Sequence, residues 1–167
     1  MDTSDPLKGI TDMLAKALGL VEAAFADAPR PPDDELLHPN SRDDGDIAAL
    51  YGIPHWREVP DEVVVREYAA LAFLGPAGFR HFLPAYLAYA LRNPETDAYT
   101  VESTIFALTP IEGDARLREF MVSKYGLLDA AQRAAVVAFL EAMAESQGEP
   151  LHEVIGKALA YWDASLP

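Results

Sequence analysis

The stretch Leu151-His152-Glu153-Val154-Ile155-Gly156-Lys157-Ala158-Leu159-Ala160-Tyr161-Trp162 decides the fold class. Leu151, Val154, Ile155, Ala158, Leu159 and Trp162 recur at i, i+3, i+4, i+7, i+8 and i+11, which is one face of an α-helix. The same period runs through Leu7, Ile10, Leu14, Ala17, Leu18, Val21 and Phe25. There Ser4 or Asp5 can cap the helix, and Pro6 suits its first position. Asp129 and Gln132 have the spacing of a capping box, ahead of the apolar Val136, Phe139, Leu140 and Met143.

Turn residues place the joints. Pro29, Pro31 and Pro32 each lack a backbone donor, so the first helix is expected to stop near Ala28. Residues 29–46 read as an acidic, proline-rich connection, and Ile47–Tyr51 as a short helix ending at Gly52. A long helix is expected from Pro60 to about Phe73, although Val63-Val64-Val65 is the strongest β signal in the chain. Further helices are expected over Phe79–Arg92, Tyr99–Leu108 and Ala115–Tyr125. Gly148-Glu149-Pro150 separates the last one. The sequence therefore predicts an all-α protein, one compact domain over 1–167 with about seven helices, one of them kinked near Pro84.

Composition narrows the function. At 167 residues the chain can bury a core without a staple, and 0 cysteines exclude disulfides and thiolate metal sites. The start, Met1-Asp2-Thr3-Ser4-Asp5, is acidic, unlike a signal peptide, and no apolar run is long enough to span a bilayer. A soluble, cytoplasmic protein of bacterial type is expected. The formal charge is −14, and residues 1–62 hold 14 acids against 5 bases. Such a surface repels phosphate backbones and anionic lipid, so no nucleic acid or membrane partner is expected; a basic protein is. The acids nominated for that contact are Asp33, Asp34, Glu35, Asp43, Asp44 and Asp46.

Catalytic and metal patterns fail. Aligning Gly45 of Asp43-Asp44-Gly45-Asp46 with the glycine of a calcium loop puts Arg42 and Tyr51 where oxygen ligands belong. Glu149 and His152 have di-iron spacing but no second Glu-x-x-His accompanies them. There is no Gly-x-Ser-x-Gly elbow and no Walker A loop. No metal, cofactor or catalytic residue is nominated. Two polar clusters remain. Pro84 within Phe79-Arg80-His81-Phe82-Leu83-Pro84-Ala85-Tyr86-Leu87 frees the carbonyl of Arg80, and Arg80, His81 and Tyr86 stand nearby. Trp56 and Arg57, beside His55, are residue types that dominate interface hot spots. A kinked core helix and a loop-stapling tryptophan are the structural alternatives for these clusters.

The order Trp56-Arg57, Phe79-Arg80-His81-Phe82-Leu83-Pro84-Ala85-Tyr86-Leu87, then Leu108-Thr109-Pro110 resembles a family of small uncharacterised bacterial proteins. Its members carry a tryptophan followed by Phe-Arg-x-aromatic-Leu-Pro-Ala-Tyr. Their later helix begins Leu-Thr-Pro-Glu-Gln, where this chain has Leu128-Asp129-Ala130-Ala131-Gln132. The resemblance covers roughly 15–145, leaves out the helix from Leu151, and implies a helical fold and no activity. Two functional expectations follow. One is a non-enzymatic acidic module, immunity- or antitoxin-like, that covers a basic partner by steered association. The other is a small enzyme or ligand-binding domain whose pocket, at the Pro84 kink, joins Trp56, Arg80, His81 and Tyr86.

Overall fold

The computed structural model describes residues 5–39, 41 and 45–167. Asp43 and Asp44 lie outside the described residues. The described residues form eight α-helices: α1 Pro6–Ala24, α2 Asp61–Arg66, α3 Ala70–Phe73, α4 Pro76–Arg92, α5 Thr100–Ala107, α6 Ala115–Tyr125, α7 Ala130–Ser146 and α8 Glu149–Ala164. Three 3-10 turns, Asp33–Glu35, Ala48–Leu50 and Trp56–Glu58, punctuate the connection from α1 to α2. The fold is all-α as expected. The one extended pairing among the described residues is an isolated antiparallel bridge between Leu37 and Leu74.

α4 is the axis. It packs against α1, α2, α3, α5, α6, α7 and the Trp56 turn. From Gly78 to Leu91 every residue except Arg80 is buried. A helix enclosed all round must be apolar all round, which explains why Phe79–Leu87 shows no polar face. The helix runs without interruption through Pro84. A proline inside a helix costs about 3 kcal/mol, and here the packing of six other helices offsets it. Gly78 marks the closest approach: a Cβ there would lie 2.9 Å from the Leu36 carbonyl oxygen. Beside it, Gly75 N–H donates to Leu36 O at 2.8 Å and His38 N–H to Phe73 O at 3.0 Å, so the acidic connection is stitched to the α3–α4 joint.

α1 lies on α7 and α4, and α8 packs on α7 and α5. The stripe of α8 behaves as its spacing requires: Ile155, Ala158 and Trp162 are fully buried, while Leu151, Val154 and Leu159 pack half-buried at the edge of the core. The capping box of α7 forms, with Gln132 N–H on Asp129 Oδ1 at 2.8 Å and Asp129 N–H on Gln132 Oε1 at 3.0 Å.

Three boundaries differ from the sequence reading. α1 ends at Ala24, capped by Phe25, before the prolines. The expected helix over 60–73 is two short ones, broken at Glu67–Ala69, where Tyr86 Oη donates to Glu67 O at 2.8 Å. Val63-Val64-Val65 lies in the first of these, so the β signal yields to burial of Val64 against the core. Residues 48–50 make a 3-10 turn and no α-helix.

Candidate functional site

The nominated polar residues around Trp56 and Arg80 share one structural task. A helix leaves its last carbonyls without intrahelical donors, and those at the end of α1 are met by side chains from other elements. Arg57 Nη2 donates to Glu22 O at 3.0 Å and Gln132 Nε2 to Ala24 O at 3.3 Å. Trp56 Nε1 donates to Phe25 O at 3.0 Å, and His55 Nε2 reaches Ala26 O at 3.3 Å. His81 Nδ1 reaches Ala28 O at 3.0 Å. A carbonyl only accepts, so each of these ring nitrogens carries its proton, and His55 Nδ1 is left to accept from Arg57 N–H at 3.1 Å. Arg80 completes the set by holding Gln132 Oε1 at 3.0 Å, with Asp129 at 3.7 Å.

Burial follows from that task. Desolvation, the largest influence on the His81 ring, pushes its pKa below the usual histidine range, and its Nε2 is buried with no hydrogen-bond partner among the described residues. Tyr86 is fully buried with its hydroxyl on Glu67, and burial raises its pKa. Trp56 and Arg57 line a depression of about 280 Å³ with Glu22, Val59, Ala85, Ala88 and Arg92. Arg80, His81 and Tyr86 are not among its walls. Neither this depression nor the larger cavity described below joins the four residues expected to share a pocket at Pro84: three close helix ends or joints, and Arg80 orients Gln132.

The acidic residues also divide. Asp33 binds Arg30 Nη2 at 2.6 Å and receives Gly52 N–H at 3.2 Å, and the arginine hydrogen bond holds its carboxyl below the usual range. It fixes the turn and is not a free steering charge. Asp34 and Glu35 are exposed, and Asp46 is half-buried.

A larger cavity lies where the sequence reading placed none. It measures about 530 Å³ and sits between α3, α5 and α6. Leu71 and Ala72, Phe106 and Ala107, and Leu117, Phe120 and Met121 form apolar walls. Tyr68 and Tyr99, ring centroids 5.7 Å apart, stand at the rim, and Glu102 and Ser103 add polar groups. Tyr68, Tyr99, Phe106 and Leu117 are all more than 40 % exposed, so four large apolar side chains that line the space face solvent.

Lys124 borders the same cavity and is only 3 % exposed. Its Nζ donates to Leu71 O at 3.0 Å and Ala72 O at 2.9 Å, and lies 4.4 Å from the centre of the Phe120 ring. Burial pushes its pKa down from 10.5 to about 7. Among the described residues it forms no salt bridge. The signal in the sequence was present: Leu117, Phe120, Met121 and Lys124 fall at i, i+3, i+4 and i+7, so a lysine occupies an apolar stripe. Among the described residues, no group of three or more His, Asp or Glu could hold a metal ion, and no helix is long and apolar enough to cross a membrane.

A family model described as "Family of unknown function (DUF6714)" matches residues 14–166. The match takes in α8, which the resemblance to an uncharacterised family left outside. No curated protein and no solved structure matches the chain.

Proposed function

The chain belongs to this family of unknown function, and from its geometry we propose that it is a ligand-binding domain that takes a small, largely apolar molecule into the cavity between α3, α5 and α6. The observation that carries this reading is the cavity itself. Its volume of about 530 Å³ lies within the roughly 300–1,000 Å³ of small-molecule sites. Its walls are mostly apolar, and a few polar groups converge on it, one with a strongly perturbed pKa, a combination that marks binding sites. The ligand-binding alternative drawn from the sequence keeps its class and moves its place. The test is fluorescence titration with the uncharged probe N-phenyl-1-naphthylamine. The native protein is expected to bind it with saturable enhancement, and Ser103→Trp, which fills the cavity, to bind it far more weakly with its circular dichroism unchanged. No saturable binding to the native protein, or equal binding to a folded variant, overturns the proposal.

The formal charge of −14 supports a second reading, a cytoplasmic, immunity-like module that covers a basic protein by electrostatically steered association. Asp34 and Glu35 are exposed in the connection and so available to steer. For a partner recovered from the host, association at low salt is expected to slow when both are neutralised to Asn and Gln. Equal rates for parent and variant overturn the steering role.

A further inference from the structure

An ammonium has three N–H donors and no acceptor. Lys124 spends two of them on Leu71 O and Ala72 O. The third, and the charge itself, have no acidic partner among the described residues. Buried charges in proteins are paired, or else neutralise. The ring of Phe120 at 4.4 Å and that of Phe79 at 5.9 Å offer only the weak compensation of a cation over a π face. We propose that the ligand of this cavity is a monocarboxylic acid with an apolar body, whose carboxylate takes the third N–H of Lys124 while the body lies against Phe106, Leu117 and Met121.

This rests on the reading of the cavity as a ligand site and names the class of ligand. One ammonium in an otherwise largely apolar lining balances one negative charge, which suits a single carboxylate better than the up to two charges of a phosphate monoester. The surrounding titratable groups are consistent with an anion entering. His38, its ring 4.3 Å from that of Phe120, is held below the usual histidine range by burial and by Lys124, so it is neutral near pH 7. Among the described residues, Glu102 on α5 is the one carboxylate lining the cavity, and it is exposed. Tyr68 and Tyr99 at the rim offer hydroxyls. A carboxylate beside Nζ favours the ammonium, so binding at a pH above 7 must draw a proton from solvent.

The experiment is calorimetry of the full chain with octanoate and with 1-octanol, a pair differing in the head group, in buffers of different ionisation enthalpy at pH 8. Octanoate is expected to bind about tenfold or more tighter than octanol and to take up close to one proton per ligand; octanol takes up none. In Lys124→Met, octanoate should fall to the affinity of octanol and lose its proton uptake. Equal binding of octanoate and octanol without proton uptake overturns the carboxylate and leaves the cavity standing. No binding of either overturns both readings. The proton uptake of the native protein decides the matter even if the variant fails to fold.

Discussion

Replacing Lys124 with methionine should alter the pH dependence of stability in a direction and window set by the structure. Methionine keeps most of the stem and removes the charge. In the native state the lysine pKa is about 7, against 10.5 without burial. Below pH 7 both folded and unfolded chains carry the proton, and burying it costs at most about 5 kcal/mol, at 1.36 kcal/mol per pKa unit. Between pH 7 and 10.5 the unfolded chain holds a proton that the folded chain has shed, so stability rises with pH. Over pH 7 to 10 that recovers roughly 3 to 4 kcal/mol. The methionine variant has no such titration. It loses the donors to Leu71 O and Ala72 O, which costs about 1–3 kcal/mol for each acceptor that stays dry; Ala72 is exposed, so water can serve its carbonyl. The variant should therefore match or exceed the parent at pH 7 and fall below it at pH 10. Urea unfolding of both proteins at four pH values across that range measures the difference, in which every other titrating group cancels. Working above pH 7 also keeps His38 neutral. A difference constant to within about 0.5 kcal/mol would refute the assignment of a buried, desolvated amine.

Trp56→Phe should destabilise by about 1 kcal/mol in urea unfolding, since Phe25 O keeps the N–H of Ala28 at 3.1 Å when Nε1 is lost; a loss above 3 kcal/mol would mean the ring's packing changed as well. Gly78→Ala should cost about 1–3 kcal/mol, because its Cβ meets the Leu36 carbonyl at 2.9 Å and neither backbone can yield cheaply; an unchanged melting temperature would show that the 36–38 segment is loosely held. Ala158→Asp should leave the chain unfolded by circular dichroism, since Ala158 is fully buried in the α8 seam and a lone buried carboxylate costs several kcal/mol. Leu159→Asp, at a half-buried position, should be milder, and the reverse order would place α8 in another rotation. With a charge of −14, no salt-sensitive gel shift with duplex DNA or RNA is expected; a shift abolished by added salt would overturn that.

Much of the architecture is legible because it is local. The stripe of α8, the cap of α7 and the bounds of α6 follow from periodicity and end signals within a few residues. The break at Glu67–Ala69 is not legible, because no glycine or proline marks it; a tyrosine nineteen residues away takes the carbonyl there. The same distance explains the site. Trp56, Arg80 and His81 stand out as polar points among apolar neighbours, which is a sound reason to single them out. Their partners are carbonyls and an amide 31, 52 and 53 residues off, and no local pattern says that a helix end will arrive beside them. Lys124 was readable as a lysine on an apolar stripe, yet Arg116, Arg118 and Glu119 around it made α6 look like an ordinary solvated helix.

Capping alone does not explain the choice of a lysine at position 124. Several helix-end carbonyls elsewhere in this fold are met by neutral donors. Trp56, His81 and Gln132 serve the end of α1. Tyr125 Oη on Ala107 O at 2.7 Å and Trp162 Nε1 on Leu108 O at 2.7 Å serve the end of α5. Where arginines do this work they keep contact with water: Arg57 is exposed, and Arg133, on Tyr125 O and Leu128 O, is half-buried. Lys124 alone among the buried described residues can carry a full positive charge near neutral pH. Two hydrogen bonds from an ammonium to carbonyls contribute about 1.5–3 kcal/mol each, of the same order as the desolvation they accompany below pH 7. A lysine cap at that place therefore gains little by itself at neutral pH, and a negative charge beside it would favour the ammonium. The buried amine, the lack of a counter-ion among the described residues and the apolar space next to Nζ are what the anionic head group proposed above would account for together.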